Sequence, residues 1–187
     1  VEKKVLLLFH KPRGVVCSTR KQRQETTVTE YLNYPVRIYP IGRLDKESEG
    51  LLLLTNQGDL VNKIMRAGNR HEKEYKVTVD KPVTDEFLKE MAGGVPILDT
   101  VTKPCQVEKL GKYKFKIILT QGLNRQIRRM CEALGYEVKE LRRVRIMNIE
   151  LGNLKPGEYR KVTDQELNEL YELIRDSKSE PTPWNNN

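Results

Sequence analysis

Apolar and polar positions along this chain follow two periods, and the changes between them mark out its elements. Val5-Leu6-Leu7-Leu8-Phe9 is an unbroken apolar run of strand length, stopped by the turn sequence Lys11-Pro12-Arg13-Gly14. Leu51–Leu54 is a second such run, followed by Asn56-Gln57-Gly58. Both predict buried strands, and the polar stretch Ser18–Glu25 between them predicts a mobile loop. From Glu74 to Asp80 the period is two: Tyr75, Val77 and Val79 share one face, and Glu74, Lys76 and Thr78 the other. Thr100–Glu108 and Tyr113–Thr120 predict a strand pair turning at Gly111, with Tyr113, Phe115, Ile117 and Leu119 buried. Strand sequence resumes over Val138–Leu151, and Pro156-Gly157 marks a later turn.

Four segments carry the helical period instead. Asp59 is placed to cap a helix with Leu60, Val61, Ile64 and Met65 on one side, ended by Gly68-Asn69. Thr84 caps a second, with Phe87, Leu88 and Met91, which Gly93-Gly94 terminates. Asn124 is the expected cap of a third running to Leu134, closed by Gly135. Its apolar positions are Ile127, Met130, Cys131 and Leu134, and Arg125, Arg128 and Arg129 share the opposite face. The last has a capping box, Thr163 with Glu166, and a stripe of Leu167, Leu170, Tyr171 and Ile174. Beyond Asp176 the composition predicts a disordered tail over 177–187, leaving 1–176 as the folded domain. Strands outnumber helices without βαβ alternation, so the expected class is α+β with a mixed, largely antiparallel sheet.

Composition narrows the partners. The 187 residues suit one domain, folded as two lobes, and are enough to bury a core without disulfides. Lys and Arg number 34 against 26 Asp and Glu, a net charge of +8 that fits a polyanionic partner, although a basic protein with no nucleic-acid role has the same balance. Cys17, Cys105 and Cys131 are scattered and only His10 and His71 accompany them, so no metal site is expected. Scattered reduced thiols point to the cytoplasm. No apolar run is long enough to span a bilayer, and no signal peptide pattern is seen. The chain begins at Val1 rather than Met, as a fragment would.

Candidate chemistry lies in three places. Gly42-Arg43-Leu44-Asp45, followed by Gly50-Leu51, sets a carboxylate beside an arginine in a loop leading into a buried strand. Taken alone, Asp45 reads best as a solvated surface aspartate. Gly122-Leu123-Asn124-Arg125-Gln126-Ile127-Arg128-Arg129-Met130 offers three arginines. They suit phosphate binding, an inward pairing with a carboxylate, or a merely solvated basic face. Tyr75 has the position of an ordinary core residue, or of a ring stacked on a nucleobase beside a cleft.

Together these segments resemble the pseudouridine synthases. The branch is the one that modifies ribosomal RNA, containing the small-subunit enzyme and the B, E and F types of the large subunit, with the F type most similar. The resemblance runs through Lys11-Pro12-Arg13-Gly14, Gly42–Leu51, Lys73-Glu74-Tyr75, Asn124–Met130 and Pro156-Gly157-Glu158-Tyr159-Arg160. It implies two lobes flanked by helices around a central RNA-binding cleft. Asp45 then corresponds to the essential aspartate, Tyr75 to the tyrosine against the target base, and Arg128 to the basic partner of the aspartate. Arg43 corresponds to a residue that holds the target nucleotide out of its stack, and Leu141 to an apolar pocket residue. Arg125 and Arg129 are candidate phosphate contacts. Ser48 departs from the threonine of many relatives but keeps the hydroxyl.

The implied reaction breaks the N1–C1′ bond of a uridine within RNA, turns the base and joins C5 to C1′. It needs no cofactor and no metal. Asp45 acts either as a nucleophile or as a base at the sugar, with Arg128 keeping it charged and aimed. The expected partner is ribosomal RNA, large-subunit RNA first, with small-subunit or transfer RNA as alternatives; the expected state is a cytoplasmic monomer. Many members carry an N-terminal S4-type RNA-binding domain, so a catalytic domain lacking it is expected here. A non-catalytic RNA-binding module would need the basic face but not Asp45, Tyr75 and Arg128 as a set. A nucleotide-handling enzyme of another kind would need a phosphate loop or metal ligands.

Overall fold

The computed structural model describes residues 3–18, 24–68 and 70–176. The tail at 177–187 and most of the loop predicted at Ser18–Glu25 lie outside the described residues. The chain opens with β1 (Leu6–Lys11), β2 (Val15–Val16), β3 (Thr26–Thr27), α1 (Val28–Leu32), β4 (Tyr39–Ile41), β5 (Glu49–Thr55) and α2 (Gly58–Gly68). It continues with β6 (Lys73–Val79), α3 (Asp85–Gly93), β7 (Pro96–Ile97), β8 (Thr100–Val101), β9 (Gln106–Gly111), β10 (Lys114–Leu119) and α4 (Gln126–Ala133). It closes with β11 (Val138–Ile146), β12 (Ile149–Glu150), β13 (Tyr159–Lys161) and α5 (Asp164–Asp176).

One nine-stranded sheet runs through the molecule in the order β13-β1-β5-β11-β6-β10-β9, with β4 on β5 and β12 on β11. Among the described residues, every pairing in it is antiparallel except β5 with β11. This is the expected α+β class with a mixed, largely antiparallel sheet. The sheet divides into two halves at the parallel seam. In the first half, β1 and β5 are buried on both faces: Leu6, Leu8, Leu51 and Leu53 pack toward α2 and α5, while Leu7, Phe9, Leu52 and Leu54 pack toward α1. Burial on both faces explains why those strands read as unbroken apolar runs. In the second half, Val77, Val79, Phe115 and Ile117 form one core with Phe87 and Met91 of α3 and Ile127 and Met130 of α4.

The seam demands a close approach. Gly50 has φ +120°, and a Cβ there would lie 2.3 Å from the Arg143 carbonyl oxygen and 2.5 Å from its nitrogen. Arg143 is itself nearly buried, and its Nε donates to the Leu51 carbonyl at 2.9 Å.

Several local expectations need correction. Lys11 does not sit in a surface turn but ends β1, with 0% exposure. Asp59 lies in the first turn of α2 rather than at its cap, because the helix already starts at Gly58. Asn124 does not cap α4; Arg125 occupies that position in the left-handed conformation, with no side-chain cap. Thr100–Glu108 is not one strand, since Thr100–Val101 turns back on Pro96–Ile97 and β9 starts only after Pro104. Tyr113 and Tyr171 are exposed rather than on buried faces. The caps at Thr84 and Thr163 form as the sequence predicts, the latter with Glu166 donating its N–H to Thr163 Oγ1 at 3.1 Å and accepting from Thr163 N at 2.9 Å.

Gly50→Ala should lower stability by at least about 2 kcal/mol, since the methyl group meets backbone that cannot swing aside and φ is strained as well. An unchanged melting temperature would show that the seam can relax. Glu166 also accepts both ends of the Arg160 guanidinium at 2.8 Å, and this pairing holds its carboxyl down at about 2. A depressed folded pKa means stability that is present near neutral pH and lost as pH falls from about 5 toward 2. Glu166→Gln should therefore cost about 1–2 kcal/mol at pH 7, after allowing for solvent around the pair, and progressively less in acid. Denaturant melts at pH 7 and pH 3 check the convergence.

Candidate active site

A cavity of about 260 Å³ opens where the two halves of the sheet meet. Leu53, Ile64 and Met65 line it from the first half, and Leu119, Ile127 and Leu141 from the second. Its polar rim comes from two segments, the Gly42–Ser48 loop that leads into β5 and the Gln121–Arg128 segment that enters α4.

Asp45 stands on this rim, about one third exposed, with Oδ2 3.4 Å from Arg125 Nη1 and 3.9 Å from Arg128 Nε. Arg125 also reaches Glu47 at 3.3 Å. Arg128 is buried, and its Nη2 donates to Ser48 Oγ at 2.9 Å. Its Nε has no hydrogen-bond partner, so the ion pair with Asp45 is a loose one. The loop folds back on itself through Ser48 N–H to the Asp45 carbonyl at 3.0 Å. The Gln121–Arg128 segment is fastened by Gln126, which is buried and accepts from Leu123 N at 3.1 Å.

The Lys11–Gly14 turn supports the loop from behind. Lys11 Nζ donates to the carbonyls of Val15 at 2.7 Å, Pro12 at 2.9 Å and Lys46 at 3.5 Å, and Gly14 N–H donates to the Lys46 carbonyl at 2.7 Å. Burial pushes the Lys11 ammonium down to about 8.

Of the residues singled out from the sequence, Arg43, Asp45, Tyr75, Arg125, Arg128 and Leu141 all border this cavity. Arg129 does not. Its guanidinium turns away to the Asn124 carbonyl at 3.0 Å and Asn124 Oδ1 at 2.9 Å. Lys73 and Arg143 border it as well and escaped the sequence reading. Lys73 was visible only as part of the Lys73-Glu74-Tyr75 motif, and its period-two relation to Tyr75 was the available signal. Among the described residues, no three His, Cys, Asp or Glu side chains converge as a metal cage requires, and no helix is long and apolar enough to cross a membrane.

A model of the RNA pseudouridylate synthase family matches residues 5–133, from the start of β1 to the end of α4. The chain belongs to this family. It is 58% identical over 179 residues to the dual-specificity RNA pseudouridine synthase RluF of Shigella flexneri, covering 96% of this chain and 61% of that protein. The ribosomal large subunit pseudouridine synthase B of Bacillus subtilis is 36% identical over 185 residues, covering 95% of this chain and 76% of the relative. A crystal structure of a pseudouridylate synthase superposes with a TM-score of 0.82 at 32% identity, over 91% of this chain and 75% of that one. This chain thus spans about three fifths of the length of its RluF relatives. The family match includes Asp45, Tyr75 and Arg128 but ends before Leu141 and Arg143.

Ser48 is the contact most open to test in this candidate site of the pseudouridylate synthase family member. Ser48→Ala removes the acceptor for a buried guanidinium and should cost about 1–3 kcal/mol. Ser48→Thr keeps the hydroxyl and should recover most of the loss. Urea midpoints of the two variants decide it, and equal midpoints would mean that water replaces the hydroxyl without penalty.

Proposed function

We propose that this chain isomerises uridine within RNA to pseudouridine, with Asp45 as the catalytic carboxylate. The observation that carries the reading is the placement of Asp45 on the rim of a cavity, between Arg125 and Arg128 and in the same pocket as Tyr75. A carboxylate flanked by two guanidiniums at a cavity rim is placed for attack at C1′ or for proton removal from C2′. At about 260 Å³ the cavity suits one extruded base rather than a duplex. Tyr75 lines the pocket, offering a ring for that base and a hydroxyl to assist the final loss of the C5 proton.

Arg43 is exposed on the rim and Arg125 half-exposed, so both are placed to meet phosphates at the cavity mouth. Arg129 is a more distant phosphate contact, already engaged with Asn124. The F-type relative's name gives dual specificity, and the B-type relative's name gives the large subunit of the ribosome. A uridine of large-subunit ribosomal RNA is accordingly the first substrate to try, with transfer RNA second. Cytoplasmic location and a monomeric state accompany this reading, as does a reaction without cofactor or metal. The rival reading, a binding module, would leave the Asp45–Arg128–Ser48 arrangement without a use.

RNA tritiated at uridine C5 tests the proposal. Wild-type protein should release label into water, and Asp45→Asn should release none while binding the same RNA within a few fold. Tight binding by the wild type with no release would favour the binding module. Loss of folding in Asp45→Asn would remove the residue from the catalytic assignment.

A further inference from the structure

Breaking the N1–C1′ bond of uridine sends the bonding electron pair out with the base. The detached uracil is then an anion, its charge shared between the ring nitrogens and the two carbonyl oxygens. This holds whether Asp45 bonds to C1′ or takes the C2′ proton. On return, C5 bonds to C1′, the C5 proton is given up and N1 gains one, so no outside reactant enters. Asp45 loses its charge in either course, esterified at C1′ or protonated, so the negative charge passes to the leaving base and Asp45 offers that base no cation. Arg125 and Arg128 are already committed to Asp45, Glu47 and Ser48.

Two further cations border the same cavity. Lys73 starts β6 and lies on the same strand face as Tyr75, two residues on. Arg143 stands directly across from Tyr75 on β11 and is 5% exposed. Its Nε is used by the Leu51 carbonyl, but its Nη2 is buried with no hydrogen-bond partner. Lys73 feels burial first and the Arg143 charge second, and together they lower it to about 8. Arg143 thus keeps a buried N–H donor unused, and the Lys73 ammonium borders the same cavity, so a negative charge arriving there would meet both.

We propose that Lys73 and Arg143 form an anion hole for the detached uracil, stabilising the charge that develops on the base as the glycosidic bond breaks. The inference rests on the isomerase reading above. It separates the two ends of the reaction: the carboxylate and its arginines serve the sugar, and the second cation pair serves the base. Such donors act on the transition state more than on the bound substrate.

Lys73 is the residue to vary, because Arg143 also holds the strand seam. With uridine-containing RNA under single-turnover conditions, Lys73→Met should slow isomerisation by at least about 100-fold, and RNA affinity should stay within a few fold. Replacing the target by 5-fluorouridine, whose fluorine stabilises the base anion, should shrink that deficit by about ten-fold or more. Nucleoside analysis of the digested RNA reads pseudouridine formed from uridine and 5-fluorouridine consumed, since C5–F has no proton to lose and ends as a C5-linked product that keeps its fluorine. Lys73→Arg should retain most of the activity.

The wild-type rate on uridine should also fall as pH rises through about 8, because the cation is present only below its pKa, and Lys73→Arg should hold its rate to higher pH. The charged and titratable groups sharing the cavity are Arg43, Asp45, Tyr75, Arg125, Arg128 and Arg143. This second measurement stands even if Lys73→Met fails to fold. An equal deficit on both bases, a Lys73→Met rate within about three-fold of wild type, or no alkaline fall below about pH 9 overturns the anion hole. Each of those results leaves the isomerase reading in place. A wild-type protein inactive on uridine overturns the isomerase reading and the anion hole with it.

Discussion

The backbone contact between Gly50 and Arg143 is the constraint on which the rest of the structure depends. Two antiparallel half-sheets meet there in a parallel pairing only two residues long, Arg142 with Glu49 and Arg143 with Gly50. A side chain at position 50 would collide with the neighbouring strand, so the seam closes only over a glycine. Everything chemical hangs from that closure. The Asp45 loop ends at the first residue of β5, beside the seam, while Tyr75 and Leu141 stand on the two strands just beyond it. A cavity between separately packed halves is thus framed by short, rigid connections, and the loop carrying the carboxylate has little freedom to wander.

Much of the fold could be read from local pattern, because the features concerned are local. Thr84 and Thr163 cap helices through contacts three residues away, and the alternation of Tyr75, Val77 and Val79 needs only its own strand. What failed to show was decided by distant chain. Asn124 has the chemistry of a cap, yet the turn at Leu123–Gln126 is fixed by Gln126 folding back, which leaves Arg125 at the helix entry. Lys11 looks like a solvated turn residue until the Asp45 loop closes over it and supplies the Lys46 carbonyl. Hydrophobic pattern alone cannot find a buried lysine that is solvated by backbone oxygens.

The site was legible in a different way. Residue types alone favoured a solvated Asp45, and only the resemblance brought it together with Tyr75 and Arg128. The structure adds a distinction that neither reading contained. Arg125, read as a phosphate contact, stands nearer to Asp45 at 3.4 Å than Arg128 does at 3.9 Å. Arg128, read as the partner of the aspartate, spends its best hydrogen bond on Ser48. Helical spacing placed the three arginines on one face. It could not divide them, because burial by the Asp45 loop is a tertiary effect.

The charge balance of the cavity carries the remaining argument. Among the described residues, Arg43, Lys73, Arg125, Arg128 and Arg143 border it, with one carboxylate, Asp45. Three of these cations, Lys73, Arg128 and Arg143, are largely withdrawn from water, and Arg143 keeps a buried N–H donor with no hydrogen-bond partner. Their presence is intelligible if the protein holds its positive field ready before the reaction, so that no reorganisation is needed when negative charge appears. On the proposed function, phosphates at the mouth and the departing base inside would be the two sources of that charge.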